Sequence, residues 1–277
     1  MKIAVLITCF NRKEKTIKCL QSLKNQLDGT NIEYDIHLTD DGCTDGTAKA
    51  VLEECPSATI YNGGNLYWAG GMRLCWMGAV KKGGYDYYLL LNDDTYVNDF
   101  FVSDFIECHR LENGNAVICG NTCDPITKKG TYVFVRLLSY FPYRTKVIGA
   151  TGKPEYDGFC GANIMWIPDK IVKRQGIIPK IYVHSIADND ICMRAMKNGF
   201  KVMGTSHYCG YCIADHHGLS TTEMQQMGII QRWHWLWSPK GASMKQWIYF
   251  QWKFFPWRLP GVIIRAMYNI LFGIGVR

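Results

Sequence analysis

The chain has 277 residues, 48% of them apolar and 20% charged, with a net charge of +7. That composition excludes a disordered or fibrous protein and leaves room for one large α/β domain with a substantial core. The Lys and Arg residues are scattered until the C-terminal third, and no block of like charge marks a nucleic-acid-binding arm.

The chain begins MKIAVLITCFNR. The short apolar run from Ile3 to Cys9 has no small-residue cleavage site after it and reads as a first strand rather than a leader. On that reading the protein is expected in the cytoplasm, with its twelve cysteines as free thiols in the interior. Cys209 and Cys212 have zinc-knuckle spacing with His207 nearby. A structural zinc site would want a matching second pair, and Cys119 with Cys123 is a loose candidate.

Strand and helix signals then alternate. KEKTIKCLQSLKNQ places Ile17, Leu20 and Leu23 at helical spacing. IEYDIHLTDDG reads as a second strand ending in acids, and CTDGTAKAVLEEC as a helix capped by Thr44 or Asp45. ATIYNGG is a short third strand, WAGGMRLCWMGAVKKG a helix, and YDYYLLLNDDT a fourth strand. This rhythm predicts a mostly parallel sheet flanked by helices, whose ligands bind beyond the carboxyl ends of the strands. The polar residues gather at those ends: Thr8, Asn11 and Arg12; Asp40 and Asp41; Asn62 to Asn65; Asp93 and Asp94.

Residues 99–112 read as a helix. EYDGFCGANIMWIPDK reads as a strand-like segment with a Gly-rich approach, and ADNDICMRAMKNGF as a helix closed by Gly199. From about 229 the composition shifts: most of the tryptophans lie there, interleaved with Lys and Arg. The uncharged stretches are too short to span a bilayer. An amphipathic, aromatic and basic extension suits a membrane interface, a packed helix pair or a homodimer contact.

Two adjacent carboxylates at the end of a buried strand repel unless something compensates them. A divalent cation shared with phosphate oxygens would do so, because Mg²⁺ and Mn²⁺ prefer oxygen ligands. On an extended chain Asn92 and Asp94 share one side and Asp93 points to the other, which makes Asp94 the expected ligand. The stretch Asn62-Gly-Gly-Asn65-Leu-Tyr-Trp68-Ala-Gly70-Gly71-Met-Arg73 runs into a helix. Its glycines allow close backbone approach, and a helix N-terminus favours phosphate.

Taken together, these motifs resemble glycosyltransferase family 2, with its Rossmann-like GT-A fold, over roughly residues 3–220. The matching stretches are Thr8-Cys-Phe-Asn11-Arg12, Asp40-Asp41-Gly-Cys-Thr-Asp45-Gly-Thr47, Asn62 to Gly71, and Leu-Leu-Leu-Asn92-Asp93-Asp94-Thr95. The resemblance is nearest to the rhamnosyltransferase-like branch. It implies a nucleotide-sugar-binding half (1–100) and an acceptor-binding half (101–225), and the composition shift beyond them leaves an amphipathic extension (226–277). Donor contacts are expected from Thr8, Asn11, Arg12, Asp40, Asp41, Asn65, Trp68, Gly70, Gly71, Arg73 and Asp93, with Mn²⁺ or Mg²⁺ at Asp94.

On the acceptor side, Gly158-Phe-Cys-Gly161-Ala162-Asn163 resembles the family's Gly-Ala segment. Ala187-Asp188-Asn189-Asp190-Ile-Cys-Met-Arg194 resembles its acidic element, with Ala187 in place of the usual Glu. The resemblance implies Asp188 as general base, and Gly161, Ala162 and Asp190 are expected beside the acceptor. Asp188 and Asp190 sit about 200° apart on a helix, so only one can face the site. The stretch Asp215-His216-His217-Gly218 resembles a family element whose His joins the metal, His216 first and His217 second.

The implied activity is inverting transfer of a hexosyl or deoxyhexosyl group to a glycan or lipid-linked acceptor, in surface-polysaccharide synthesis at the inner face of the cell membrane. The alternatives are a nucleotidyltransferase of similar fold, a degenerate sugar-binding scaffold and a zinc-dependent regulator.

Overall fold

A computed structural model describes residues 1–214 and 219–274. In chain order the strands are β1 (Lys2–Cys9), β2 (Glu33–Asp40), β3 (Thr59–Asn62), β4 (Tyr87–Leu91), β5 (Tyr96–Val97), β6 (Ala116–Cys123), β7 (Val135–Ser139), β8 (Arg144–Val147), β9 (Glu155–Tyr156), β10 (Gly158–Phe159), β11 (Ile164–Pro168) and β12 (Lys201–Tyr211). The helices between them are α1 (Lys13–Leu27), α2 (Thr47–Glu54), α3 (Tyr67–Lys82), α4 (Phe100–Leu111), α5 (Asp169–Gln175) and α6 (Ala187–Lys197). Four more follow: α7 (Thr221–Gln226), α8 (Ile229–Trp237), α9 (Met244–Phe254) and α10 (Leu259–Phe272).

The central sheet has the order β3-β2-β1-β4-β11-β6-β12-β5, with β9 also paired to β12. Strands β3, β2, β1 and β4 are parallel. β11 runs against both β4 and β6, while β6 and β12 are parallel to each other. Six strands therefore point one way, so the sheet is largely parallel, and it carries residues of both expected halves. The stretch 155–170, expected as one strand-like segment, divides into β9, β10 and β11 and runs into α5. Of these β10 leaves the main sheet and pairs with β7.

Strands β1 and β4 are buried on both faces, which explains their unbroken apolar runs. Ala4, Leu6, Tyr88 and Leu90 enter one core layer with α3, while Ile3, Val5, Ile7, Leu89 and Leu91 enter the opposite layer with α1. Each buried valine, leucine or isoleucine among them contributes about 1.5–3 kcal/mol of burial. Helix α3 lies close on the sheet because it is notched by glycines. A Cβ on Gly71 would stand 2.2 Å from Thr8 Oγ1, and one on Gly78 2.1 Å from the Tyr61 hydroxyl.

The starts of α1 and α2 are tied together by one side chain. Asp45 accepts from the Lys13 N–H at 3.0 Å and from the Thr47 N–H at 3.1 Å. The expected cap at Asp45 thus serves two helices, although the residue immediately before α2 is Gly46.

The C-terminal extension is helical but not uniformly detached. Phe250, Phe254 and Phe255 belong to the main core, whereas Leu236, Met244 and Ile270 form a small cluster joining α8, α9 and α10. Among the described residues, no helix is long and apolar enough to cross a membrane.

Candidate active site

A cavity of about 490 Å³ opens where β1, β2 and β4 end. This is the position expected of a ligand site in an open α/β sheet. It is lined by Thr8 and Cys9 at the end of β1 with Phe10 and Arg12 after it, by Asp41, Asn65, Tyr67 and Trp68 on the β2 and β3 side, and by Asn92, Asp93 and Asp94 after β4. His184 and Lys240 complete the wall.

The strand-four acids do not alternate sides. The Thr95 N–H donates to the Asn92 carbonyl at 3.1 Å, so residues 92–95 form a turn rather than an extended chain. One guanidinium nitrogen of Arg12 therefore reaches both carboxylates, 2.7 Å from Asp94 Oδ2 and 3.2 Å from Asp93 Oδ1. The like-charge repulsion is answered by this residue. Burial still raises the Asp93 pKa from 3.8 to about 7, against the lowering effect of Arg12. Asn92 turns inward and accepts the Trp68 indole N–H at 2.8 Å.

Asp41 organises the loop before α3. Its Oδ1 accepts from Gly64 N–H at 2.9 Å and Leu66 N–H at 2.8 Å, and its Oδ2 accepts from Tyr67 N–H at 2.8 Å. A second lone pair on Oδ2 remains for a ligand donor. Asp40 is turned into its own loop instead, accepting from Gly42 and Cys43 N–H groups at 3.0 and 2.6 Å. Asn11 likewise holds Thr44, at 2.7 Å from its N–H. Neither lines the cavity.

Arg73 and the two glycines also serve the scaffold. Arg73 donates to the Pro179 and Tyr182 carbonyls at 3.2 and 3.0 Å, and Gly70 N–H reaches the Val183 carbonyl at 3.3 Å. Together with Gly71 against Thr8, they fix α3 and the 179–183 loop around the cleft and do not enter it.

The two acids of α6 have separate fates. Asp190 is fully buried, bonded to Tyr182 at 3.0 Å, to Lys253 at 2.7 Å and to Arg194 at 2.5 Å. It is therefore closed to an acceptor, against the sequence expectation. Asp188 is half-buried, with Oδ1 accepting its neighbour's N–H, Asn189, at 2.8 Å. The Cβ position of Gly161 lies 3.8 Å from Asp188 Oδ2, and the Ala162 backbone N–H also supports the carboxylate. Burial raises the Asp188 pKa, in the direction that suits a proton acceptor.

Four of the eight positive-φ non-glycine residues of the described chain fall in these loops. Ile186, immediately before α6, has φ +61°, a conformation rarely adopted by a β-branched residue. Asn11, Asn65 and Tyr67 also have positive φ. Such outliers collect where a structure over-determines its loops, often at functional sites.

A cation at this cleft would find hard oxygens in Asp93 and Asp94. Asp94 Oδ1 is not taken by Arg12 and lies 3.8 Å from the Cys212 thiol. Among the described residues, no group of three or more His, Cys, Asp or Glu is poised to hold a metal. The residues fit an ion bound by one or two carboxylates and completed by a donor's phosphates, as Mg²⁺ and Mn²⁺ commonly are. The expected ligand His216, with His217, lies outside the described residues. The cysteines are free thiols, buried apart from the half-buried Cys43. Cys209 points toward Asp104 and Cys212 toward Asp94, so the knuckle pair diverges.

His184, Lys240, Phe10 and Tyr67 were not singled out by sequence. Lys240 and His184 carry no motif, and Phe10 and Tyr67 lie inside recognised stretches whose polar residues drew attention.

The fold is shared with solved structures. S. aureus TarS matches with a TM-score of 0.55 at 15% identity, covering 88% of this chain and 41% of that one. TarS 1-349 in complex with UDP matches with the same TM-score and identity, with 68% of that chain covered. The UDP-GlcNAc complex matches with a TM-score of 0.54. The chain thus spans under half of the longer TarS chain. Comparison with curated proteins finds no match. The family model described as Glycosyl transferase family 2 matches residues 4–168. Most of the central sheet, the acidic turn after β4 and the Asp41 loop lie within that span, whereas β12 lies beyond it, and the chain belongs to glycosyl transferase family 2.

Proposed function

We propose that this cleft transfers a sugar from a nucleoside-diphosphate donor to a hydroxyl acceptor with inversion. The observation that carries the reading is the meeting, at one sheet edge of a family 2 chain, of a paired-acid turn with two cationic side chains, Arg12 and Lys240. TarS, whose fold this chain shares, is described in complex with UDP and with UDP-GlcNAc, which supports a nucleotide-sugar donor.

Each side chain has a distinct task. Phe10 and Tyr67 offer aromatic faces for the nucleobase, and the free lone pair of Asp41 takes a base or ribose donor. Lys240 balances the diphosphate. Mn²⁺ or Mg²⁺ held at Asp94, with Asp93 beside it, would supply further neutralisation of the leaving group when bound. Asp188, which is not among the residues lining the cavity, accepts the proton of the acceptor hydroxyl as that oxygen attacks the anomeric carbon and the nucleoside diphosphate departs. The raised pKa keeps it basic enough for that step. Gly161, lacking a side chain, leaves the carboxylate open on the acceptor side.

The acceptor proposed is a glycan or lipid-linked saccharide of surface-polysaccharide synthesis, and the sugar a hexose or deoxyhexose. A panel of nucleotide sugars, scored by thermal shift with Mn²⁺, tests the donor assignment. A true donor raises the melting temperature by mass action. Failure of every nucleotide sugar and nucleoside diphosphate to shift it would overturn the reading.

A further inference from the structure

No acid follows Glu223 in the sequence. Seven of the 31 Lys and Arg residues lie beyond it, and the other 24 are matched by the 24 Asp and Glu residues. The whole formal net charge of +7 therefore belongs to residues 224–277, and the remainder of the chain is neutral.

The same segment leaves apolar surface in solvent. Half of the exposed large apolar side chains of the described residues fall between Ile229 and Phe272. On α10, Ile263, Ile264, Met267, Tyr268, Leu271 and Phe272 are each 41–65% exposed, at the spacing of one helix face, while Asn269 and Ile270 point inward. Helix α8, which packs on α10, adds Trp233 and Trp237 with ring centroids 5.5 Å apart. The β7–β8 hairpin continues this rim. Its Phe141 is 75% exposed and meets Trp257 edge-on at 5.7 Å, and Arg258 lies 4.0 Å over the Tyr143 ring.

A contiguous apolar face of this kind marks an interaction surface. Lys240 faces the cavity and Lys253 is paired with Asp190, so five of the seven cations are left to this segment; a second copy would bring the same unbalanced charge against it, which self-repulsion disfavours. An anionic bilayer accepts all three of its ingredients: aliphatic side chains at the acyl boundary, tryptophans among the headgroups and cations against lipid phosphates. We propose that α8, α10 and the β7–β8 hairpin tip form one docking surface for the headgroup layer of an anionic bilayer. The segment lies on that layer, since among the described residues none of its helices is long and apolar enough to span it.

The surface is firmly joined to the cleft. Gln246 of α9 accepts from the Val183 and His184 N–H groups at 3.0 and 3.2 Å, and Lys253 pairs with Asp190 at 2.7 Å. Resting on the proposed transfer reaction, this linkage holds the acceptor side of the cleft at the lipid surface, where a lipid-linked saccharide presents its hydroxyl.

Co-sedimentation with phosphatidylcholine vesicles, with and without phosphatidylglycerol, tests the proposal. The wild-type chain should pellet with the phosphatidylglycerol vesicles and far less with phosphatidylcholine alone. The double variant I264S/L271S should remain in the supernatant in both cases. Arg265→Gln, at an exposed position of α10, should weaken binding about fivefold. Unchanged melting temperatures would establish that these variants fold. A wild-type chain that stays in the supernatant with phosphatidylglycerol overturns the proposal, as does I264S/L271S pelleting like wild type. A dimer dissolved by I264S/L271S, without vesicle binding, assigns the face to a second copy and also overturns it. Donor-induced thermal shift, read on the same samples, separates failure of docking from failure of the transfer reading.

Discussion

Arg12 places its guanidinium 2.7 Å from the carboxylate of Asp94, the residue best placed to receive a cation. Arg12 and an incoming cation therefore share one pair of acids. Removing Arg12 leaves Asp93 and Asp94 together with a partner lost, and Asp93 is buried. Arg12→Ala should cost about 1–2 kcal/mol in metal-free protein, discounted because the Arg12 side chain is one-third exposed. Mn²⁺ should restore more stability to this variant than it adds to wild type. Chemical denaturation with and without Mn²⁺ measures both quantities, and equal Mn²⁺ increments would refute the shared-acid account.

Lys240 reaches the cavity from the α8–α9 connection, far along the chain from the family motifs. Lys240→Gln should raise the Kd for a nucleoside diphosphate about tenfold, while a nucleoside lacking phosphate binds as before. Isothermal titration with both ligands distinguishes loss of a phosphate contact from general damage to the cleft.

His37 predicts a pH dependence of stability away from the active site. It is buried between Tyr61 and Tyr85, each hydroxyl 2.8 Å from a ring nitrogen. Tyr85 donates its own proton to Asp35 at 2.7 Å, so His37 Nε2–H donates to Tyr85 and Nδ1 accepts from Tyr61. Burial lowers the His37 pKa from 6.5 to about 4. The unfolded chain thus binds the proton more readily, and stability falls as pH drops from 6.5 toward 4. The loss should approach about 3 kcal/mol across that window, and His37→Gln should flatten the slope. Urea midpoints recorded through the window check it, and an unchanged slope in the variant would remove His37 as the cause.

Gly71 tests how closely α3 must approach the site. Gly71→Ala sets a Cβ 2.2 Å from Thr8 Oγ1, so the helix or Thr8 must shift. A destabilisation of about 1–3 kcal/mol is expected, with weaker donor binding because Thr8 lines the cavity. Thermal denaturation and donor titration read the two effects. Wild-type values for both would mean that the approach is not tight.

The frame of this fold was readable because its signals are local. Unbroken apolar runs at Ile3–Ile7 and Tyr87–Leu91 have the length of buried strands, and the helical spacing of Ile17, Leu20 and Leu23 marks α1. The reversal of β11 was not readable, since an apolar run carries no direction. The side on which Asp93 and Asp94 point was misjudged because alternation presumes an extended chain, and the Asn92–Thr95 hydrogen bond turns it. Periodicity could say that Asp188 and Asp190 oppose each other, but not which one faces inward. That choice is made by Tyr182, Arg194 and the distant Lys253, which claim Asp190. His184 and Lys240 escaped notice for a related reason: their place in the wall is set by tertiary contacts, with Gln246 of α9 gripping the Val183–His184 backbone.

The central claim is that Asp188 deprotonates the acceptor for sugar transfer. It is tested most directly by following nucleoside diphosphate release from a shifting donor in the presence of a lipid and glycan acceptor extract. The wild-type chain should release nucleoside diphosphate. Asp188→Asn should bind the donor with unchanged affinity and form nucleoside diphosphate about 10²–10⁴-fold more slowly. Turnover by Asp188→Asn at the wild-type rate would contradict the account.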